Sequence, residues 1–128
     1  MARQKRGKQG SNSIIPADQL PPLNNETINE LVRMLDSGQF LEGVMILEAL
    51  KEEHPREAIL YKLLGMAYGE LGDLRGAAEH WEEAQRLDRE DPSLWRLLAG
   101  VYQGQGRIVH ALRAIRRYLN EETEDEEQ

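Results

Sequence analysis

The chain reads as an all-α solenoid of three consecutive helix-turn-helix hairpins, and three observations predict it. Gly38, Gly72 and Gly106 recur every 34 residues, each between two apolar patterns of helical period. Sliding the chain by that period brings independent columns into agreement. Phe40 meets Leu74 and Ile108, Gly43 meets Ala77 and Ala111, Leu47 meets Trp81 and Ile115, and Met34 meets Tyr68 and Tyr102. Apolar steps of three and four, as in Tyr61, Leu64, Gly65 and Tyr68, follow one helix face and exclude a strand. A unit of this size cannot bury its apolar face alone, so stacked neighbours must supply the core.

The elements follow in order. Residues 1–13 carry Arg3, Lys5, Arg6 and Lys8 without an acid and are expected to form a disordered basic arm. Residues 14–23, with Ile14, Ile15, Leu20, Leu23 and three prolines, read as an extended apolar connector able to lie along the first hairpin. Helices are expected over 25–36 and 40–53 in a first repeat (24–57). The second repeat (58–91) takes helices over 57–71 and 74–88, and the third (92–120) over 92–105 and 107–120. Asp73 and Asp91 suit N-caps, and Pro92 suits a first helical turn, where its missing N–H is not needed. Small residues at Gly65, Ala77, Ala99 and Ala111 let paired helix backbones approach closely. Residues 121–128 carry Glu121, Glu122, Glu124, Asp125, Glu126 and Glu127, a like-charged tail expected to stay disordered.

These residues resemble the tetratricopeptide repeat family, whose pattern runs aromatic, Leu-Gly, Tyr, then Ala, aromatic, Ala and Pro. Tyr61, Leu64-Gly65, Tyr68, Gly72, Ala77, Trp81 and Ala84 match almost throughout. Trp95, Leu98-Ala99, Tyr102, Gly106, Ala111 and Ile115 match well. In the first unit Met34, Gly38, Leu47 and Pro55 fit, whereas Thr27, Leu31 and Gly43 depart. The resemblance covers residues 24 to 120. It implies a right-handed α-solenoid and a non-enzymatic scaffold that grips a peptide or helix in a concave groove.

Composition narrows the alternatives. A chain of 128 residues fits one domain, and three repeats are near the minimum for a solenoid that folds alone. With no cysteine there is no disulfide framework or thiolate site, which fits the cytoplasm. No apolar run reaches the ~20 residues of a membrane span, and no apolar segment follows the basic N-terminus as in a secretory signal. Catalysis finds no support. His54, His80 and His110 fall in different columns, and His80 beside Glu79 and Glu83 reads as a solvent-facing helix pair rather than a metal site. No Gly-x-Ser-x-Gly or phosphate loop is present, so no cofactor is expected.

The expected binding face lies on the first helix of each repeat, opposite the Tyr61/Leu64/Tyr68 side. Its residues are Ile28, Asn29 and Val32 in the first repeat, Ile59, Lys62, Leu63 and Met66 in the second, and Arg96 and Gln103 in the third, with Leu97 alongside. An apolar strip with polar neighbours is how a protein-binding surface is usually built. Some members of the family hold acidic C-terminal tails in a carboxylate clamp of Lys, Asn and Arg. Ile28, Val32, Leu63, Ser93 and Leu97 stand in the clamp columns here, so that activity is not expected. A segment with apolar anchors and one acid, meeting Lys62 or Arg96, suits the face better.

The last helix raises two further expectations. Family members often end in an extra covering helix, and here the acidic tail follows at once. Val109, Leu112 and Leu119 are then left open to weak homodimerisation. The arginines Arg107, Arg113, Arg116 and Arg117, with the basic arm, offer an alternative footprint for nucleic acid. A net charge of −7 and the tethered acidic tail oppose it.

Overall fold

A computed structural model describes residues 15–119. The basic arm, Ile14 and the acidic tail lie outside the described residues. Among those described, six α-helices follow a single short 3-10 turn and there is no strand. The helices are α1 (Asn25–Asp36), α2 (Phe40–Glu53), α3 (Ala58–Glu70), α4 (Leu74–Leu87), α5 (Ser93–Gly104) and α6 (Ile108–Leu119). All six lie within a residue or two of their expected bounds. The 3-10 turn, Ala17–Gln19, corrects the expected extended connector. Pro16 supplies its entry, with its carbonyl accepting from Gln19 N–H at 2.9 Å.

The residues divide into two compact units, one up to Arg56 and one from Glu57. In the first, α1 starts at Asn24, whose side chain accepts from Thr27 N–H at 2.9 Å. Leu35 lies where a Cβ on Gly43 would stand, 2.8 Å from its Cδ2, so Gly43 is the small residue that lets these helices meet. Leu31, Leu35, Leu47 and Leu50 are buried. The pair approaches less closely than the later hairpins. Leu31 occupies the column that Gly65 and Ala99 fill with smaller side chains.

The second unit holds two hairpins, α3 with α4 and α5 with α6, and α5 packs also on α4. Its core gathers Ala77, Ala78, Trp81 and Ala84 of α4, Leu94, Leu98, Ala99, Val101 and Tyr102 of α5, and Ala111 and Ala114 of α6. Trp81 sits against the bare backbone of Gly65, and its Nε1–H donates to the Lys62 carbonyl at 3.0 Å. Asp73 caps α4 by accepting from Gly76 N–H at 2.8 Å. Asp91 caps α5 one residue early: Pro92 already has helical dihedrals, and Ser93 N–H donates to Asp91 at 3.0 Å.

The 34-residue glycine period has one structural cause. Gly38, Gly72 and Gly106 adopt φ of +86°, +87° and +77°, the left-handed region that glycine enters without strain. Each ends a first helix in the same double-bonded turn. Gln39, Asp73 and Arg107 donate to the carbonyls of Met34, Tyr68 and Tyr102 at 2.9, 2.8 and 2.8 Å. Gly38, Gly72 and Gly106 donate to Leu35, Gly69 and Gln103. This is the Schellman pattern, which uses up otherwise unpaired helix-end carbonyls.

Candidate functional site

Helical geometry turns the expected face of α3 and α5 away from Trp81. On α3, Met66 is 38% exposed and Ile59 is half-buried; on α5, Arg96 and Gln103 are exposed. In the first unit, α1 leaves Asn29 exposed and Ile28 and Val32 half-buried. The second unit therefore places Ile59 and Met66 on α3 and Arg96 and Gln103 on α5, at different columns of the repeat.

Two expected members have less to offer than the others. Leu63 is only 4% exposed, so it has no surface for a ligand to meet. Lys62 has its ammonium already engaged, with Nζ donating to Asp91 Oδ2 and to Ser93 Oγ, both at 2.8 Å. Ser93 Oγ–H in turn donates to Asp91 Oδ1 at 2.7 Å. The cluster ties α3 to the start of α5. Burial works against the charged Asp91, but hydrogen bonds from Lys62 and Ser93 and the Lys62 charge outweigh it, holding the carboxyl below its usual value. Lys62 is a strut between the two hairpins.

His80 also differs from expectation, and two of the arginines have aromatic partners. His80 is half-buried rather than solvent-facing: its ring stacks on Tyr68 at 5.0 Å, and its Nδ1–H donates to the Gly76 carbonyl at 2.8 Å. Among the described residues, no three His, Asp or Glu side chains converge where a metal ion would sit. Arg107 lies 4.5 Å over the Tyr102 ring and Arg117 5.1 Å over the Trp95 ring, so two of the four arginines are engaged by aromatic faces. Arg113 and Arg116 are exposed.

Sequence reading did not find the partner of Tyr102. Its hydroxyl donates to Glu82 Oε2 at 2.5 Å, linking α5 back to α4. Burial and then the Glu82 carboxylate raise the phenol well above its ordinary value. The available signal was an acid on α4 opposite a tyrosine column, visible only once α5 is known to cover that face.

No family model matches the chain, and no curated protein matches it. Among solved structures, it is similar to that of a MamA mutant, with a TM-score of 0.68 and 21% identity over 77% of this chain and 73% of that one. The likeness shows a tetratricopeptide-like helical-repeat fold, all-α and of the solenoid type. Among the described residues, no helix is long and apolar enough to cross a membrane.

Proposed function

We propose that the chain is a non-enzymatic scaffold that holds a segment of another protein against the exposed face of its first helices. The observation that carries this reading is that Ile59 and Met66 are partly open on α3 while Arg96 and Gln103 are exposed on α5, the first helix of the next hairpin. α3 then presents apolar anchors and α5 one cation, which a short helix or extended segment can follow. Because Lys62 is engaged by Asp91, the acidic contact falls to Arg96. On α1, Ile28 holds the column of Arg96, Val32 that of Met66 and Asn29 that of Leu63, and they give the first unit a surface of its own. A cysteine-free sequence supports a cytoplasmic setting for the scaffold.

The nucleic-acid reading loses support where Arg107 and Arg117 are drawn onto aromatic rings. Peptide selection tests the scaffold reading. Peptides displayed on phage and selected against the full chain should carry apolar anchors and an acid. They should lose at least tenfold in affinity for the M66E/R96E double variant and keep it for K62M. Undiminished binding to M66E/R96E would refute the assignment of the face. An oligonucleotide that binds the full chain at ~150 mM salt, where the Debye length is ~8 Å, would favour the alternative.

A further inference from the structure

We propose a second docking surface: α6 receives an acidic amphipathic helix from a partner protein, seated on it as α5 is seated on α4. This surface lies on a second helix of a hairpin and is independent of the first-helix face above.

The repeat register supplies an internal comparison. It carries Leu74 onto Ile108, Ala78 onto Leu112, Trp81 onto Ile115 and Gln85 onto Leu119. On α4 this stripe is covered. Ala78 and Trp81 are 2% and 8% exposed, and Leu74 Cδ1 lies 3.1 Å from where a Gly104 Cβ would stand on α5. On α6 the equivalents are open: Ile108 is 54%, Leu112 61%, Ile115 39% and Leu119 68% exposed. Steps of four, three and four residues form the seam that one helix offers another. Thus α6 leaves open the stripe that on α4 is buried, Trp81 against α3 and Leu74 against the following helix α5.

Charge identifies what would cover it. The same register carries Glu79, Glu82 and Glu83 of α4 onto Arg113, Arg116 and Arg117 of α6, reversing the sign at all three places. On α4 the covering helix meets Glu82 with a donor, the Tyr102 hydroxyl. A helix covering α6 meets Arg116 there instead, and the matching group is a carboxylate. Residues 106–119 contain no acid, so α6 supplies no such group itself.

A second copy of this chain fits poorly. Setting α6 on its twin brings arginines against arginines. Placing α1 where α5 sits would put Glu26, Glu30 and Arg33 at the columns of Leu94, Leu98 and Val101, pressing charges onto the apolar stripe.

The probe is a fluorescent peptide of residues 91–105 carrying Tyr102→Glu, held helical by a hydrocarbon staple on its outer face and titrated with the full chain. It should bind about tenfold more tightly than the same peptide carrying Tyr102→Lys. Arg116→Glu in the chain should reverse that preference, and Leu112→Glu should weaken both peptides more than tenfold. M66E/R96E should change neither, so this result and the groove test can fail separately. Leu112 and Arg116 are exposed, and helical circular dichroism should show that both variants fold. Equal affinity of the two peptides, no binding by the Glu peptide, or unchanged binding to the Leu112→Glu variant would overturn the proposal. So would sedimentation showing a dimer of the full chain that Leu112→Glu dissolves, because the occupant would then be a second copy.

Discussion

Replacing one glycine by alanine should have opposite effects at two sites in the second unit. Gly65 and Gly100 both lie inside first helices, where alanine is favoured over glycine by about 1 kcal/mol. At Gly100 a new Cβ meets nothing within 4 Å, so the full gain should appear. At Gly65 the Cβ would stand 2.3 Å from Trp81 Nε1 and 2.5 Å from its Cδ1. Ordinary van der Waals contact begins near 3.4 Å, so the indole must retreat by about 1 Å in a close-packed interior. Overpacking of this kind costs roughly 1–3 kcal/mol. The retreat also stretches the 3.0 Å bond from Trp81 to the Lys62 carbonyl, worth about 1 kcal/mol. After the propensity gain, Gly65→Ala should destabilise by about 1–3 kcal/mol.

The difference between the variants is therefore about 2–4 kcal/mol, well above the resolution of a urea titration. Both tryptophans, Trp81 and Trp95, belong to the second unit, so their fluorescence reports its unfolding directly. Trp81→Phe added to Gly65→Ala should recover part of the loss by shortening the ring that the methyl strikes. Equal shifts for the two alanine variants, or a Gly65→Ala protein as stable as the parent, would show that Trp81 does not fill the Gly65 notch.

Two pH effects follow from the clusters that join the hairpins. Because Asp91 titrates below its usual value in the fold, its stabilisation is present above the unfolded carboxylate pKa and is lost as pH falls through the folded one. The stability gap between parent and Lys62→Met should therefore shrink from about pH 7 to about pH 3; a constant gap would refute the ion pair. Tyr102 is shifted upward, so its contribution is complete below the ordinary tyrosine pKa and is lost as pH rises above about 10. Tyr102→Phe should keep at about pH 11 the stability that the parent loses above about pH 10, as read by urea midpoints; parallel losses in both would refute the assignment.

The helices were legible where a column admits few residue types for one physical reason. Only glycine enters the left-handed turn freely, so Gly38, Gly72 and Gly106 mark the end of three first helices without reference to any contact. Gly65 was legible as a small residue where paired helices approach, but that Trp81 fills its notch shows only in the structure. The Asn24 cap was less visible, since Asn25 beside it is an equally good candidate and only the bond to Thr27 decides. The turn at Ala17–Gln19 hid in a proline-rich stretch that reads equally well as extended chain.

Column position tells which way a side chain leaves its helix, but not what already occupies that direction. Lys62 and Arg96 share a column, yet Asp91 lies at the foot of α5 within reach of Lys62 and takes its charge. Asn29, Leu63 and Leu97 share another, and they are exposed, buried and half-buried respectively. A periodic chain nevertheless offers an unusual correction for this blindness, because the same column occurs in two settings. On α4 the stripe through Ala78 is covered and its acid Glu82 is satisfied by Tyr102. On α6 the stripe through Leu112 is open and the acid has become Arg116. An apolar column kept open while its polar neighbours change sign is unfavourable for a helix that faces only water, since it leaves Leu112 and Leu119 hydrated for no gain. That penalty is offset if a neighbour of opposite charge covers the stripe, and this is why the sign of Arg116, more than the bare exposure of Leu112, argues for a docked helix.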